Sequence, residues 1–171
     1  MTLVAVNGSP SDTSKTHAVA AAAITLHGGG TLIDLTDLDG DALLLRGEHD
    51  SVKAALAAIA VADVVVLVTP VYRATFSGLL KLLLDQLPHG ALEGTAVVLA
   101  ATGASSAHYL SLDTGLRAVV ASLGGWAVPT VVYATGDDFN EGNEPAPELL
   151  DRLQQALDEA ARIASTTTAS S

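Results

Sequence analysis

Residues 64–88 of this chain read VVVLVTPVYRATFSGLLKLLLDQLP, and no other stretch indicates as much about its fold. Residues 64–68 are all apolar and mostly β-branched, a composition typical of a strand that is buried on both faces of a parallel sheet. Thr69-Pro70 is expected to end this strand, because proline has no N–H for the ladder and restricts the residue before it. The stretch therefore predicts a central strand of an α/β sheet.

A helix is expected to follow this strand. Ser77 or Thr75 can cap its first turn, and Pro88 marks the point by which it ends. The turn between strand and helix carries Tyr72 and Arg73 together with several free backbone amides. Because open α/β sheets bind ligands at the carboxyl edge of their strands, we expect these two side chains to lie at a ligand site.

Strands and helices alternate along the rest of the chain. Strands are predicted at residues 3–6, 31–35, 95–101 and 128–133, and helices at 14–27, 51–60, 108–123 and 145–164. Helices of about ten residues or more between strands require crossover connections, which give a parallel sheet covered on both faces. Five such strands predict an α/β, flavodoxin-like doubly wound fold with the order 2-1-3-4-5. We assign residues 1–164 to a single domain and expect 165–171 to be a disordered tail.

Composition limits the possible functions. The chain has 171 residues, 49% of them hydrophobic, and no cysteine, so one domain with a full core is expected, without disulfides or thiol chemistry. A net charge of −11 with only eight Lys and Arg argues against nucleic acid binding. The acidic surface either keeps the protein soluble or docks a basic partner. No apolar run reaches the roughly 20 residues of a membrane span, and the chain starts directly with a strand, so we expect a cytoplasmic protein.

The loop after the first strand has the composition of a phosphate site. It reads NGSPSDTSKTH over residues 7–17, and the helix that follows supplies unpaired N–H groups and the positive end of a dipole. Its side-chain donors are Ser9, Ser14, Lys15 and Thr16. The loop is neither a Walker A motif nor a dinucleotide fingerprint, because it lacks the required glycines. An ordinary capped helix start remains the alternative, and His17 either reaches the phosphate or faces solvent.

Residues 69–88 closely resemble the central segment of the NAD(P)H-dependent FMN reductases, particularly those that feed reduced flavin to two-component sulfonate monooxygenases. In that family a Thr-Pro-Val-Tyr turn, a small-residue stretch with Ser-Gly, then Leu-Lys and an Asp near the helix end recur together, as they do here. Residues 7–17 resemble the family's Gly-Ser-Pro loop, which grips the FMN 5′-phosphate. Residues 101–105 are similar to its Ala-Thr-Gly-Gly loop, which lies beside the pyrimidine edge of the flavin.

The resemblance implies a set of cofactor-binding residues in three loops. They are Ser9, Ser14, Lys15, Thr16, Pro70, Val71, Tyr72, Arg73, Thr102, Gly103, Ala104 and Ser105. Tyr72 would border the flavin ring and the nicotinamide slot, and Arg73 would meet the phosphates of the dinucleotide. Loop amides would stabilise the negative charge of reduced flavin. Because hydride passes directly from nicotinamide to flavin, we assign no catalytic acid, base or nucleophile. The histidines and carboxylates show no metal-ligand spacing such as His-x-x-x-His, so we expect no metal.

The chain departs from the family pattern at three places. Ser11 stands where an arginine is common, and Ala104 replaces the second glycine of the third loop. Asp113-Thr114 replaces an aromatic that, in several sulfonate-linked relatives, contributes to the subunit interface beside the flavin. An FMN ring at the edge of so small a domain needs a further wall. We therefore expect a homodimer or homotetramer, with the helix at residues 76–87 near the contact.

The resemblance implies an NAD(P)H:FMN oxidoreductase that uses FMN with NADPH or NADH and supplies reduced FMN to a monooxygenase. One alternative keeps the fold and cofactor but reduces a quinone, an azo dye or chromate. The other is a flavodoxin-type electron carrier without enzymatic activity, which the acidic charge would suit. A carrier shields its flavin with aromatic rings, whereas only 4% of these residues are aromatic. The reductase is therefore the preferred interpretation.

Overall fold

The structure is a computed structural model that describes residues 1–11 and 14–168. The strands in these ranges are β1 (Leu3–Asn7), β2 (Thr31–Asp34), β3 (Val64–Tyr72), β4 (Thr75–Phe76), β5 (Ala96–Thr102) and β6 (Trp126–Ala134). The helices are α1 (Lys15–His27), α2 (Gly40–Leu43), α3 (Asp50–Ala60), α4 (Gly78–Leu84), α5 (Arg117–Ser122) and α6 (Pro147–Thr168). None of the helices in this part of the chain is long and apolar enough to span a membrane.

The five long strands form a parallel sheet in the order β2-β1-β3-β5-β6. Without the two-residue strand β4, this is the order 2-1-3-4-5, so the predicted flavodoxin-like fold is confirmed. β4 pairs antiparallel with the end of β3. Since the long strands run in one direction, the loops that follow β1, β3, β5 and β6 all lie at the carboxyl edge of the sheet.

β3 is buried on both faces because its residues alternate between two apolar layers. Val65 and Leu67 pack in the layer formed by α3, α4 and α5. Val66 and Val68 pack in the layer formed by α1 and α6. Each of these four side chains is fully buried, and burial of a valine or leucine stabilises a fold by about 1.5–3 kcal/mol. This two-sided burial explains why the central strand reads as an unbroken apolar run.

The prediction that Thr69-Pro70 ends the central strand is wrong. β3 continues through both residues to Tyr72, and Pro70 lies opposite Thr102 of β5. On the other side β1 has already ended, with the Val68 carbonyl accepting from the N–H of Gly8 at 2.8 Å. The backbone N–H and C=O groups of residues 68 and 70 point to the same side of β3, toward β1. Because β1 has ended before it reaches Pro70, an N–H at that position would have no partner in the sheet, and its absence costs no hydrogen bond.

Two helical segments also differ from the prediction. The expected helix at residues 108–123 is broken into a 3₁₀ turn at Ser106–His108, a π-helical turn at Leu112–Leu116 and then α5. α6 continues to Thr168, so residues 165–168 belong to the helix rather than to the expected tail. The remaining tail residues, 169–171, lie outside the described residues.

Candidate functional site

A cleft of about 520 Å³ opens at the carboxyl edge, between the ends of β1, β3, β5 and β6. It is lined by Ser9, Ser11, Ser14, Lys15, Thr16, Pro70, Val71, Tyr72, Thr102, Gly103, Ala104, Thr135 and Gly136. Ten of the twelve residues predicted for the site are among them. Arg73 and Ser105 are the two that lie outside the lining, and the loop after β6 contributes two positions that sequence reasoning missed. A second groove of about 540 Å³ lies at the opposite edge, where parallel sheets do not bind ligands.

The start of α1 forms one wall of the cleft. Ser14 caps the helix, its hydroxyl oxygen accepting from the N–H of His17 at 3.1 Å. The amides of Lys15 and Thr16 follow in the first turn, where a helix provides no acceptor. Both residues line the cleft, so these amides and the positive end of the helix dipole are available to an anion.

Threonine hydroxyls connect this wall to the next strand. Thr16 Oγ1 lies 2.8 Å from Thr102 Oγ1, across the gap between α1 and the end of β5. Thr16 is 1% exposed, so its rotamer is fixed by packing as well as by this bond. The contact holds the first and third loops at a set separation.

Lys15 is held by an aromatic ring rather than by a carboxylate. Its ammonium lies 5.3 Å from the centroid of the Phe139 ring, in the loop after β6. Such a cation–π contact leaves the charge available, because the ring carries no net charge. Sequence reasoning missed Phe139, which lies more than a hundred residues from Lys15 and can be placed beside it only by the order of the strands.

The segment after Pro70 is a β-hairpin. Val71 lies opposite Phe76 and Tyr72 opposite Thr75, and the turn between them has φ of 51° at Arg73 and 64° at Ala74. Positive φ at both central positions is typical of a type I′ turn, which normally carries Asn-Gly. Left-handed backbone costs about 1–2 kcal/mol for each residue with a side chain. The absence of asparagine or glycine explains why the sequence did not predict this turn.

Ser77 ties the base of the hairpin to the first loop. Its hydroxyl donates to the Gly8 carbonyl at 2.6 Å and caps α4 by accepting from the N–H of Leu80 at 3.1 Å. Its own N–H donates to Thr69 Oγ1 at 2.9 Å. A Cβ on Gly8 would lie 3.0 Å from the Cβ of Leu80 and 3.1 Å from the Val68 carbonyl oxygen, so a larger residue would have to push these neighbours apart by a few tenths of an ångström.

The tip of the hairpin is open to solvent. Tyr72 is 52% exposed although it lines the cleft, and Arg73 is exposed beside it. Among the ion pairs of the described residues, none involves Arg73. Its charge is therefore free to meet an anion that approaches the mouth of the cleft.

The third loop is shaped by Tyr133, a residue of β6 that sequence reasoning missed. Its hydroxyl donates to the Ser105 carbonyl at 2.9 Å, and the N–H of Gly103 donates to the Ala134 carbonyl at 2.9 Å. A Cβ on Gly103 would lie 1.9 Å from the Tyr133 hydroxyl oxygen, so a glycine is required there. Burial raises the pKa of Tyr133, which therefore stays protonated and able to donate.

The loop after β6 is held by a partly buried carboxylate. Asp138 accepts from the N–H and the hydroxyl of Thr135, at 2.7 and 3.1 Å, and from the guanidinium of Arg152. Arg152 also donates to the Tyr133 carbonyl at 3.2 Å. Burial by itself would raise the pKa of Asp138, but the bonds from Thr135 and the charge of Arg152 outweigh it and lower that pKa. The carboxylate thus fixes Thr135 at the rim of the cleft.

Of the two positions considered for His17, the structure is closer to the solvent-facing one, since its side chain is 36% exposed. Its Nδ1 lies 2.7 Å from the Asp34 carboxylate at the end of β2, and it does not line the cleft. This contact lies outside the lining of the cleft and involves the last residue of the loop at residues 7–17, here called the phosphate loop. The sequence pattern did not indicate it.

Comparisons with known proteins agree with this architecture. Residues 1–140 match the family model described as NADPH-dependent FMN reductase. The chain belongs to this family. It is 34% identical over 169 residues to the FMN reductase (NADPH) of Pseudomonas aeruginosa, covering 94% of this chain and 91% of that protein. The family, its oxidoreductase class and its cofactors, FMN with NAD(P)H, were expected from sequence and are confirmed.

Two further similarities support the assignment. An NADH-dependent FMN reductase of Pseudomonas putida, SfnF, is 39% identical over 103 residues, a match that covers 60% of this chain and about half, 55%, of that protein. The crystal structure of an NADH:FMN oxidoreductase in its apo form superposes with a TM-score of 0.83 at 35% identity, covering 96% of this chain and 89% of the other. The fold and the family thus rest on independent comparisons.

Proposed function

We propose that this protein transfers hydride from NADPH or NADH to FMN and supplies reduced FMN to a flavin-dependent monooxygenase. The observation that carries the proposal is the convergence of two kinds of wall on one cleft. Hydroxyls, first-turn amides and one ammonium form the first wall, and the exposed tyrosine of the hairpin forms the second. A ligand that has a phosphate at one end and an aromatic ring at the other fits both.

The donor set suits the phosphate end of FMN. We assign its phosphate to Ser9, Ser14, Lys15 and Thr16, which combine hydroxyl donors, first-turn amides and a positive charge. Thr102, Gly103, Ala104 and Ser105 would hold the pyrimidine edge through backbone amides. Pro70, Val71 and Tyr72 would border the ring, and FMN, when bound, accepts the hydride.

The cleft contains little that could act as a catalytic acid or base. Lys15 and Tyr72 are the titratable side chains in its lining, and neither a carboxylate nor a histidine of the described residues belongs to it. Hydride transfer needs none, since the protein has only to align two rings. We therefore propose that catalysis depends on the alignment of the two rings and on the electrostatic potential of the loop amides.

Release of reduced flavin is favoured by the poor aromatic shielding of the cleft. Tyr72 is the aromatic residue in its lining, and it is half exposed. A carrier that retains flavin needs aromatic rings on both faces of the flavin. We therefore favour the reductase over the electron carrier. Reduction of a quinone, an azo dye or chromate at the same cleft remains the second candidate, because an open site admits several acceptors.

We further propose a cytoplasmic homodimer or homotetramer in which a neighbouring subunit completes the cleft. Tyr72, Tyr109 and Leu110 are 52%, 52% and 60% exposed on this side of the molecule. Leu79 and Leu82 of α4 are only half-buried, as expected of a helix that serves both the sheet and a partner. Light scattering that found a fully active monomer would exclude this assembly.

Steady-state oxidation of NADPH and NADH tests the activity. We expect rapid oxidation with free FMN and slow oxidation with a quinone in the absence of flavin. Under anaerobic conditions, reduced FMN should pass through an ultrafiltration membrane that retains the protein. Quinone reduction without added FMN at an equal rate would favour the second candidate, and tight retention of a flavin that nicotinamide cannot reduce would favour the carrier.

A further inference from the structure

We infer that Asp34 and Asn7, neither of which lines the cleft, position the phosphate loop for the phosphate of FMN. The inference rests on the proposed function, because it concerns how the proposed phosphate site is held. Both residues are the last of their strands, Asn7 of β1 and Asp34 of β2. They are register partners in the parallel sheet, which places their side chains next to each other at its carboxyl edge.

The amide of Asn7 joins the carboxylate to the loop. Its Nδ2 lies 3.1 Å from each oxygen of Asp34, and its Oδ1 accepts from the N–H of Ser9 at 3.1 Å. An amide has one donating end and one accepting end, whereas a carboxylate only accepts. Asp34 therefore determines which way the Asn7 amide points. If the amide were reversed, the Nδ2 group of Asn7 would face the backbone N–H of Ser9, and two donors would oppose each other.

The Asn7 contact decides which groups of the loop remain for a ligand. It occupies the backbone N–H of Ser9, and Ser9 Oγ in turn accepts from the N–H of Ser11 at 3.1 Å. The Ser9 hydroxyl still has its proton to donate. Since Ser9 is 2% exposed and lines the cleft, that proton has few directions open to it other than the cleft.

Asp34 is held as a carboxylate by a full set of donors. Besides Asn7, it accepts from Thr36 Oγ1 at 2.9 Å and contacts His17 Nδ1 at 2.7 Å. Burial would raise the pKa of Asp34, but the hydrogen bonds from Asn7, His17 and Thr36 outweigh it and lower that pKa. His17 belongs to the first turn of α1, so the same carboxylate contacts both ends of the phosphate loop. Such supporting bonds keep a binding group within its productive geometry.

The sign of one effect separates this role from a simple charge effect. Asp34 carries a negative charge close to the proposed site of a phosphate. If it acted through its charge alone, its removal would strengthen FMN binding by relieving repulsion. If it acts through Asn7, its removal weakens FMN binding despite the relieved repulsion. Opposite results are therefore expected from the two roles.

The test compares FMN with riboflavin, which lacks the phosphate, in titrations of the full-length protein. Asn7→Ala should raise the Kd for FMN about tenfold and leave the Kd for riboflavin unchanged. Asp34→Asn keeps the volume but offers one oxygen where three residues donate, so it should raise the Kd for FMN several-fold. Asp37→Asn is the matched control, because it removes an exposed carboxylate from the same segment and should change neither value.

Each alternative result has a separate meaning. Tighter or unchanged FMN binding in Asp34→Asn would overturn the inference, and so would equal weakening of FMN and riboflavin in Asn7→Ala, which indicates general damage to the fold. The double variant should be no weaker than Asn7→Ala, since both changes break one chain of contacts. If the wild-type protein binds FMN and riboflavin equally, the proposed phosphate site itself fails, and the inference falls with it.

Discussion

Ser9 and Thr16, at the phosphate-loop end of the cleft, are 2% and 1% exposed, whereas Tyr72, at the hairpin end, is 52% exposed. The first end is tied by hydrogen bonds to the ends of β2 and β5. The hairpin end is held by the pairing of β4 with β3, and its turn contains two non-glycine residues, Arg73 and Ala74, at positive φ. The cleft thus joins a fixed wall, formed by residues 9–11, 14–16 and 102–104, to an open and strained one, formed by the hairpin at residues 71–76.

This difference matches two different tasks. A buried wall whose donors are already positioned binds a ligand without the cost of ordering them. A strained turn persists only where its surroundings hold it, and such turns are common at sites that serve ligands. We infer that the fixed wall binds the phosphate and the pyrimidine edge of FMN, while the open wall borders the flavin ring and receives the dinucleotide.

The largest effect is expected from breaking the fixed wall at Gly103. Gly103→Ala would place a Cβ 1.9 Å from the Tyr133 hydroxyl oxygen, so the loop must move, at a cost of about 1–3 kcal/mol in stability. The Kd for FMN should rise about 10- to 100-fold as loop amides leave their positions. Thermal unfolding and FMN titration measure the two effects.

Gly136→Ala is the matched control for Gly103→Ala. Gly136 also lines the cleft, but its Cβ would meet nothing closer than Lys15 Nζ at 3.5 Å, an ordinary contact. Similar losses in both variants would mean that the cleft tolerates no added methyl group at either position, and the clash with Tyr133 would not explain the effect of Gly103→Ala.

The next effect comes from the open wall, where Tyr72→Ala should weaken FMN binding and slow hydride transfer together. Loss of an aromatic contact costs about 0.5–1.5 kcal/mol, which corresponds to up to about tenfold in each quantity. Trp126→Ala is the control, because Trp126 is an exposed aromatic residue (62%) at the start of β6 and lies outside the lining of the cleft. Stopped-flow reduction and FMN titration separate the two effects, and wild-type values in Tyr72→Ala would show that the hairpin only packs.

A smaller effect is expected at low pH, where the carboxylate that fixes the β6 loop is lost. The pKa of Asp138 is lowered in the fold, so its stabilisation is complete above the ordinary aspartate pKa of about 3.9 and disappears as the pH falls toward the folded value. Asp138→Asn should lower Tm by about 2–4 °C at pH 7, and the difference should shrink below about pH 4. Asp137→Asn, at an exposed neighbour, should match the wild type throughout.

The sequence predicts the fixed wall better than the open one, and the reason is physical. Buried β-branched runs and helices of sufficient length determine a parallel sheet, and the sheet order brings residues 9–11 and 14–16 together with the loop at residues 102–104. Both loops are rich in small hydroxyl residues, so their chemistry is also visible locally. The order of the strands and the composition of the loops therefore indicate the same ligand site.

The supporting contacts could not be predicted in this way. Phe139 contacts Lys15, Tyr133 bonds to Ser105 of the third loop and Asp34 bonds to Asn7, each from another strand or loop. Nothing near Lys15, Ser105 or Asn7 in sequence indicates these partners. The hairpin was missed for a different reason. Its turn uses Arg73-Ala74 in a conformation that local preferences assign to glycine or asparagine, so tertiary packing overrides propensity at this point.

The smallest effect expected on catalysis is at Arg73, and it tests what the open wall does. Arg73→Ala should raise the KM for NADPH several-fold, with kcat and FMN affinity nearly intact, because it removes binding that is equal in the ground and transition states. An exposed charge contributes about 1 kcal/mol or less, which sets the size of the expected change in KM.

Ala74→Gly is the matched control for Arg73→Ala, since it relieves the neighbouring positive φ of 64° without removing a charge. It should leave KM unchanged and raise stability by up to about 1 kcal/mol. An unchanged KM in Arg73→Ala would mean that the dinucleotide does not approach over the hairpin, and a raised KM in Ala74→Gly would mean that the strained backbone, not the guanidinium, forms its site.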